Sequence, residues 1–313
     1  MTRFLVCAAV AAAVAVVSAA GEQQPPVFRG TGDAVRVFVT VTDRDGRLVT
    51  TLTQNDFEVR DEGKPQPITL FDNTPQPIRL IVMLDVSGSM EGNLPLLRAS
   101  VEELVPRLRR DDRARVGTFG HQVDIGSWLA RADAPVLPDR IAPDAPTPLW
   151  RAIDEAMDAF GNEGDQRRVV LVLSDGRDGG PTGFRQRFSS QAGVIDRARA
   201  EAVMVYAIGM RSRPARSMPP GIGPGGLQAA LTADLPDPGL ARVAEETGGG
   251  YTEVRVGQDL GAAFARVADE LHSQYLLGFA PPKRDGKVHD VEVRVSQRGL
   301  QARGRKSYVA PKS

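Results

Sequence analysis

Residues 78–90 read Ile-Arg-Leu-Ile-Val-Met-Leu-Asp-Val-Ser-Gly-Ser-Met. From Ile78 to Val86 only Arg79 and Asp85 interrupt an apolar run, the pattern of a strand covered on both faces in a parallel sheet. An aspartate at the end of such a strand is costly unless it is paired or metal-bound. Asp85, Ser87 and Ser89 are spaced two apart, and Gly88 permits a tight path between them. In a strand-to-helix loop these three oxygen groups can converge on one point, which a hard divalent cation would satisfy.

Strands and helices alternate outward from this stretch. Leu94, Leu97, Val101, Leu104, Val105 and Leu108 recur at helical spacing, with Pro106 expected to kink or end the helix. Strands are predicted at Ala114–Phe119, Val123–Trp128, Arg168–Ser174, Val203–Ile208 and Tyr251–Val254. Helical faces are carried by Leu149, Ile153, Ala156, Met157 and Phe160, by residues 190–202, by Leu240, Val243 and Ala244, and by Leu260, Phe264, Val267, Ala268 and Leu271. The alternation predicts an α/β fold with a doubly wound, mostly parallel sheet. It is flanked by small β segments. Val37, Val39 and Val41 alternate before the sheet, followed by the turn Asp61-Glu62-Gly63-Lys64-Pro65. Residues 274–279 and 288–295 resume strand patterning after it, and Arg303–Val309 adds one more candidate. The later strands are expected to join the earlier ones or to pack on the α/β layer. Residues 211–226, rich in Pro, Gly and Arg, read as a loop at the same sheet edge as Asp85.

Composition narrows the chemistry. The chain has 313 residues, with 39 Lys and Arg against 39 Asp and Glu, so no net charge draws it to nucleic acid. It is 42% hydrophobic, enough for a core despite 32 glycines and 23 prolines. The single Cys7 excludes an intrachain disulfide and a cysteine-based zinc or iron–sulfur site. Arg3, the apolar stretch Phe4–Val17 and the small residues Ser18-Ala19-Ala20 have the layout of a secretory signal peptide over residues 1–20. That stretch is shorter than the roughly 20 residues of a spanning helix, and nothing later reads as one. The mature protein is therefore expected to be exported, periplasmic or extracellular, with no stable transmembrane span.

Two further loops carry oxygen ligands. Thr147 lies in Pro146-Thr147-Pro148-Leu149, where a purely structural reading makes it a helix N-cap with Pro148 at the first helical position. Asp175 follows the apolar strand ending at Ser174, with Asp178 close behind. In an open α/β sheet, ligands bind beyond the carboxyl ends of the strands.

This order of Asp85-x-Ser87-x-Ser89, Thr147 and Asp175 resembles the von Willebrand factor A domain and its metal-ion-dependent adhesion site. The family often has Gly before the threonine, where this chain has Pro146. The flanks, QYLLGFAPPKRDGKVHDVEVRV among them, look like exported bacterial VWFA-related proteins typified by Acidobacteria. The resemblance implies a small β domain over residues 30–76, the A-like domain over 77–273 and a β segment over 274–313. It implies that Ser87, Ser89 and Thr147 coordinate Mg²⁺ directly, with Asp85 and Asp175 acting directly or through water. Ca²⁺ or Mn²⁺ could substitute. An open position would remain for an acidic side chain of a protein partner. Two alternatives stand beside this non-enzymatic binding role: an envelope scaffold with a vestigial site, and a metal-dependent hydrolase using His121 or Asp178 as acid or base. Neither H-E-x-x-H nor Gly-x-Ser-x-Gly occurs in the chain.

Overall fold

The computed structural model describes residues 34–129, 137–161, 166–175, 178–180, 188–211, 237–255 and 260–312. The signal segment and residues 212–226 of the Pro- and Gly-rich loop lie outside them.

The central layer is a six-stranded sheet of β5 (Ile78–Asp85), β6 (Arg113–Phe119), β7 (Val123–Ile125), β8 (Arg167–Ser174), β9 (Val203–Arg211) and β10 (Tyr251–Arg255). Its order is β10-β9-β8-β5-β6-β7, all parallel except the edge strand β7, so the fold is a doubly wound, mostly parallel α/β fold. All eight residues of β5 are buried, and its two faces feed two separate cores. Ile78, Leu80, Val82 and Leu84 pack with α1 (Leu94–Leu104) and α5 (Leu260–Leu271). Ile81 and Met83 pack on the other face with α2 (Leu149–Asp158), α3 (Gln191–Glu201) and α4 (Pro238–Thr247). Pro106 ends α1 as expected, leaving a single tighter turn over Val105–Arg107. The strand expected over Val123–Trp128 is shorter. It stops at Ile125, and the guanidinium groups of Arg79 and Arg115 lie over the Trp128 ring at 4.5 and 4.3 Å.

Eight further strands form two four-stranded sheets. They are β1 (Val35–Thr42), β2 (Phe57–Asp61), β3 (Lys64–Gln66), β4 (Ile68–Asp72), β11 (Tyr275–Phe279), β12 (Val288–Val295), β13 (Gln301–Arg303) and β14 (Ser307–Val309). One sheet runs β13-β1-β11-β4 and the other β14-β12-β2-β3, so strands from both ends of the chain interleave. The alternation read in β1 is met: Val37, Val39 and Val41 point into a core shared with Phe57, Val59, Leu277 and Phe279. Glu62 and Gly63 both take positive φ, 48° and 73°, as a two-residue hairpin turn with the right twist requires.

The sandwich meets the amino edge of the central sheet through polar contacts. Glu270, at the end of α5, accepts from Thr40 at 3.0 Å, from Tyr206 and from Arg303. Gln274 accepts from buried Arg167 at 2.7 Å and donates to Thr40 at 2.7 Å and Tyr206 at 3.1 Å. Burial pulls the Arg167 guanidinium down to about 10. Beside this network the turn after α4 packs backbone on backbone. A Cβ on Gly248 would stand 2.4 Å from the Arg305 amide nitrogen, and one on Gly249 would stand 2.0 Å from the Val205 carbonyl. Gly249→Ala should therefore cost about 2 kcal/mol or more in urea denaturation; a loss below about 0.5 kcal/mol would show that this seam is loosely packed.

Candidate metal centre

The sheet topology creates the site. From the adjacent strands β5 and β8 the chain leaves in opposite directions, to β6 and to β9, so a crevice opens at their carboxyl ends. Asp85 closes β5, and Ser174-Asp175 closes β8. Asp85, Ser87, Ser174 and Asp175 are all at most 1% exposed.

Four of the five expected ligands form one hydrogen-bonded cluster. The Ser87 amide donates to Asp85 Oδ1 at 2.8 Å, fixing the turn. The Ser87 and Ser89 hydroxyls lie 3.1 Å apart, and Ser89 donates to Asp175 Oδ1 at 2.7 Å. The Ser174 hydroxyl donates to Asp85 Oδ2. In the sequence Ser174 stands only as the last residue of an apolar strand and belongs to no spacing pattern; its position one residue before Asp175 is its signal.

Thr147 comes to this edge through backbone contacts on both sides. The Gly88 amide donates to Ala145 O at 3.0 Å, and a Cβ on Gly88 would lie 1.9 Å from the Pro143 carbonyl. Gly88 is thus required for the close approach of the loop that carries Thr147. On the other side Gly179 N donates to Thr147 O at 2.8 Å. The N-cap reading of Thr147 is corrected: Pro148 holds the cap position with φ −79° and ψ 64°, and α2 begins at Leu149. Asp178 caps the helix from outside, accepting from the Trp150 amide at 3.3 Å and from Gly180 N at 3.1 Å. Burial raises the Asp178 carboxyl above its ordinary range, against these hydrogen bonds.

The donor set can be compared with what a hard cation demands. Neighbouring oxygens of an octahedral shell lie about 2.8–3.0 Å apart when each is about 2.0–2.1 Å from magnesium. The Ser87–Ser89 and Ser89–Asp175 separations of 3.1 and 2.7 Å are hydrogen-bond lengths that a shell of this size would also accommodate. Among the described residues no group of three or more His, Cys, Asp or Glu is gathered for a metal. Each histidine is engaged elsewhere: His121 with Asp144 at 3.4 Å, His272 with Asp112 at 2.7 Å, and His289 with Asp61 at 3.1 Å.

Burial pushes the Asp85 carboxyl up to about 7, with the Asp175 charge adding to it and the Ser174 and Ser87 hydrogen bonds opposing. A carboxyl whose folded value is raised binds more protons in the native than in the unfolded state between the two values. Metal-free protein should therefore lose stability as pH climbs from about 4 through about 7. Asp85→Asn should be more stable than wild type by about 2–4 kcal/mol above pH 7 in chelator, with a flatter profile. Equal denaturation midpoints at all pH values would refute this electrostatic cost.

No family model matches the chain, and no curated protein matches it. Several solved structures do. Von Willebrand factor type A from Catenulispora acidiphila is 12% identical, with a TM-score of 0.47 over 91% of this chain and 76% of that one. An aerotolerance-related membrane protein from Bacteroides fragilis is 15% identical, with a TM-score of 0.40 over 62% of this chain and 98% of that one. Proximal thread matrix protein 1 from the mussel byssus, with a zinc-occupied MIDAS motif, is 15% identical, with a TM-score of 0.44 over 68% of this chain. The chain spans 50% of the length of the mussel protein. These likenesses are of overall fold.

Proposed function

We propose that the cluster at the carboxyl edge of β5 and β8 is a divalent-cation site through which an exported protein binds a protein partner. The observation that supports this reading is the convergence of the Ser87, Ser89 and Asp175 oxygens beside the buried Asp85 carboxylate. Ser87, Ser89 and Thr147 would hold the ion directly, and Asp85 and Asp175 directly or through water. Mg²⁺ suits this all-oxygen set best, with Ca²⁺ or Mn²⁺ as substitutes. Two anionic carboxylates balance the dication, and neutral hydroxyls leave it electrophilic. When bound, the ion supplies a position that an acidic side chain of the partner can occupy.

A binding role fits better than hydrolysis because all three histidines pair with aspartates other than Asp85 and Asp175. Asp178, the other acid–base candidate, is committed to capping α2. The signal-type residues 1–20 support export. Among the described residues, no helix is long and apolar enough to cross a membrane.

Titration calorimetry with Mg²⁺ tests the site. Wild type should bind, and Asp85→Ala or Ser87→Ala should weaken binding at least about tenfold, or about 1.4 kcal/mol. Trp150, whose amide is held by Asp178, gives a second readout by fluorescence in a Trp128→Phe background. Capture of a partner from envelope extract should require Mg²⁺ and be reversed by EDTA. Mg²⁺ binding without EDTA-sensitive capture would leave a scaffold with a vestigial site; no Mg²⁺ binding would remove the mechanism.

A further inference from the structure

Four arginines gather at the amino ends of β8, β5 and β6. In the parallel register Arg79 of β5 stands beside Arg113 of β6 on one side and Arg168 of β8 on the other. All three project from the face of the sheet that also carries Ile81, Met83, Val170 and Val172. Arg115, two residues after Arg113, projects the same way. Arg79 is 4% exposed, Arg115 and Arg168 are half-buried, and Arg113 is exposed. The guanidinium groups of Arg79 and Arg115 lie over the Trp128 ring at 4.5 and 4.3 Å, which holds two of the four in place. Among the described residues, neither Arg113 nor Arg168 has an ion-pair partner. Arg167, the residue before Arg168 on β8, makes the contrast: it is taken up by Gln274 at 2.7 Å and by the Leu271 carbonyl at 2.9 Å.

A guanidinium keeps its charge at every ordinary pH. Neighbouring strands lie about 4.8 Å apart, so three aligned arginines set three fixed like charges in one row. Such a row costs stability unless an anion lies among its members. We propose that the row is a binding site for a phosphate group, contacted by the forks of Arg113, Arg115 and Arg168, with Arg79 adding charge from the buried centre. Guanidinium forks match phosphate oxygens two at a time. A tetrahedral oxyanion also offers enough acceptors to serve forks that arrive from different strands. Arg79 and Asp85 are six residues apart on β5, or about 20 Å along the strand. The arginine row therefore shares no residue with the candidate metal centre and stands or falls independently of the proposed function.

Calorimetric titration of the full chain with inorganic pyrophosphate, in EDTA and without Mg²⁺, tests this site apart from the metal centre. Wild type should bind with a Kd below about 1 mM. Arg113→Ala and Arg168→Ala should each weaken binding about fivefold or more, and the double variant about twentyfold or more. Arg168→Lys, which keeps the charge but loses the fork, should fall between wild type and Arg168→Ala. Both side chains reach solvent, so these variants should keep the wild-type circular dichroism. The chain has two tryptophans, and in a Trp150→Phe background the fluorescence of Trp128 should follow the same titration. Sedimentation with phosphatidylglycerol vesicles, against phosphatidylcholine alone, separates the sources of the phosphate. Pyrophosphate binding without sedimentation assigns a soluble phosphate compound, and binding with it assigns a lipid headgroup; either result supports the site. Pyrophosphate binding no tighter than the response to sodium chloride at equal ionic strength would overturn the proposal, as would binding that the double variant leaves intact.

Discussion

The structure is organised around a carboxylate placed where burial resists it. Asp85 ends a strand whose eight residues are all buried, and the group itself has no exposure. Such a charge is tolerated only with dedicated partners, and here they are supplied by the adjoining loops. Ser87 donates its amide, Ser174 its hydroxyl, and Ser89 ties the same cluster to Asp175. The raised Asp85 carboxyl shows that these bonds do not fully offset the desolvation. A dication bound as proposed would offset more of it.

The doubly wound topology converts that local constraint into a site. Helices on both faces leave β5 and β8 apolar through their middles, with arginines at their amino ends and Asp85 and Ser174 at their carboxyl ends. Eight residues of strand, about 25 Å, separate that edge from the amino edge, where the sandwich is attached. Glu270, Gln274, Arg167 and the Gly248–Gly250 turn hold the attachment with buried hydrogen bonds and backbone contact. The candidate site is thereby left clear of the sandwich, at the opposite edge of the layer.

Much of this was legible in the sequence because it rests on periodicity and burial. The apolar runs of β5 and β8 and the heptad-like face of α5 carry strong local signals, and they sufficed for the fold class. Asp85, Ser87 and Ser89 were legible because one tight loop holds all three. The rest depends on contacts between distant segments. Gly88 is explained by Pro143, Thr147 is released from capping by Asp178, and Asp85 is steadied by Ser174. No local propensity encodes those pairings. Thr147-Pro148 carried a correct local preference for a helix start, but a carboxylate 28 residues away captured the helix amides instead. That the later strands join the earlier ones was one of two expectations, but the pairing of β1 with β11 and β13 was not legible, since strand pattern gives no partner.

The account is tested most directly by anomalous diffraction from crystals of the full chain soaked with Mn²⁺. It predicts one ion at the carboxyl edge of β5 and β8, within about 2.3 Å of the Ser87, Ser89 and Thr147 hydroxyls. Manganese bound only elsewhere, or an ion at this edge that Thr147 does not reach, would contradict it.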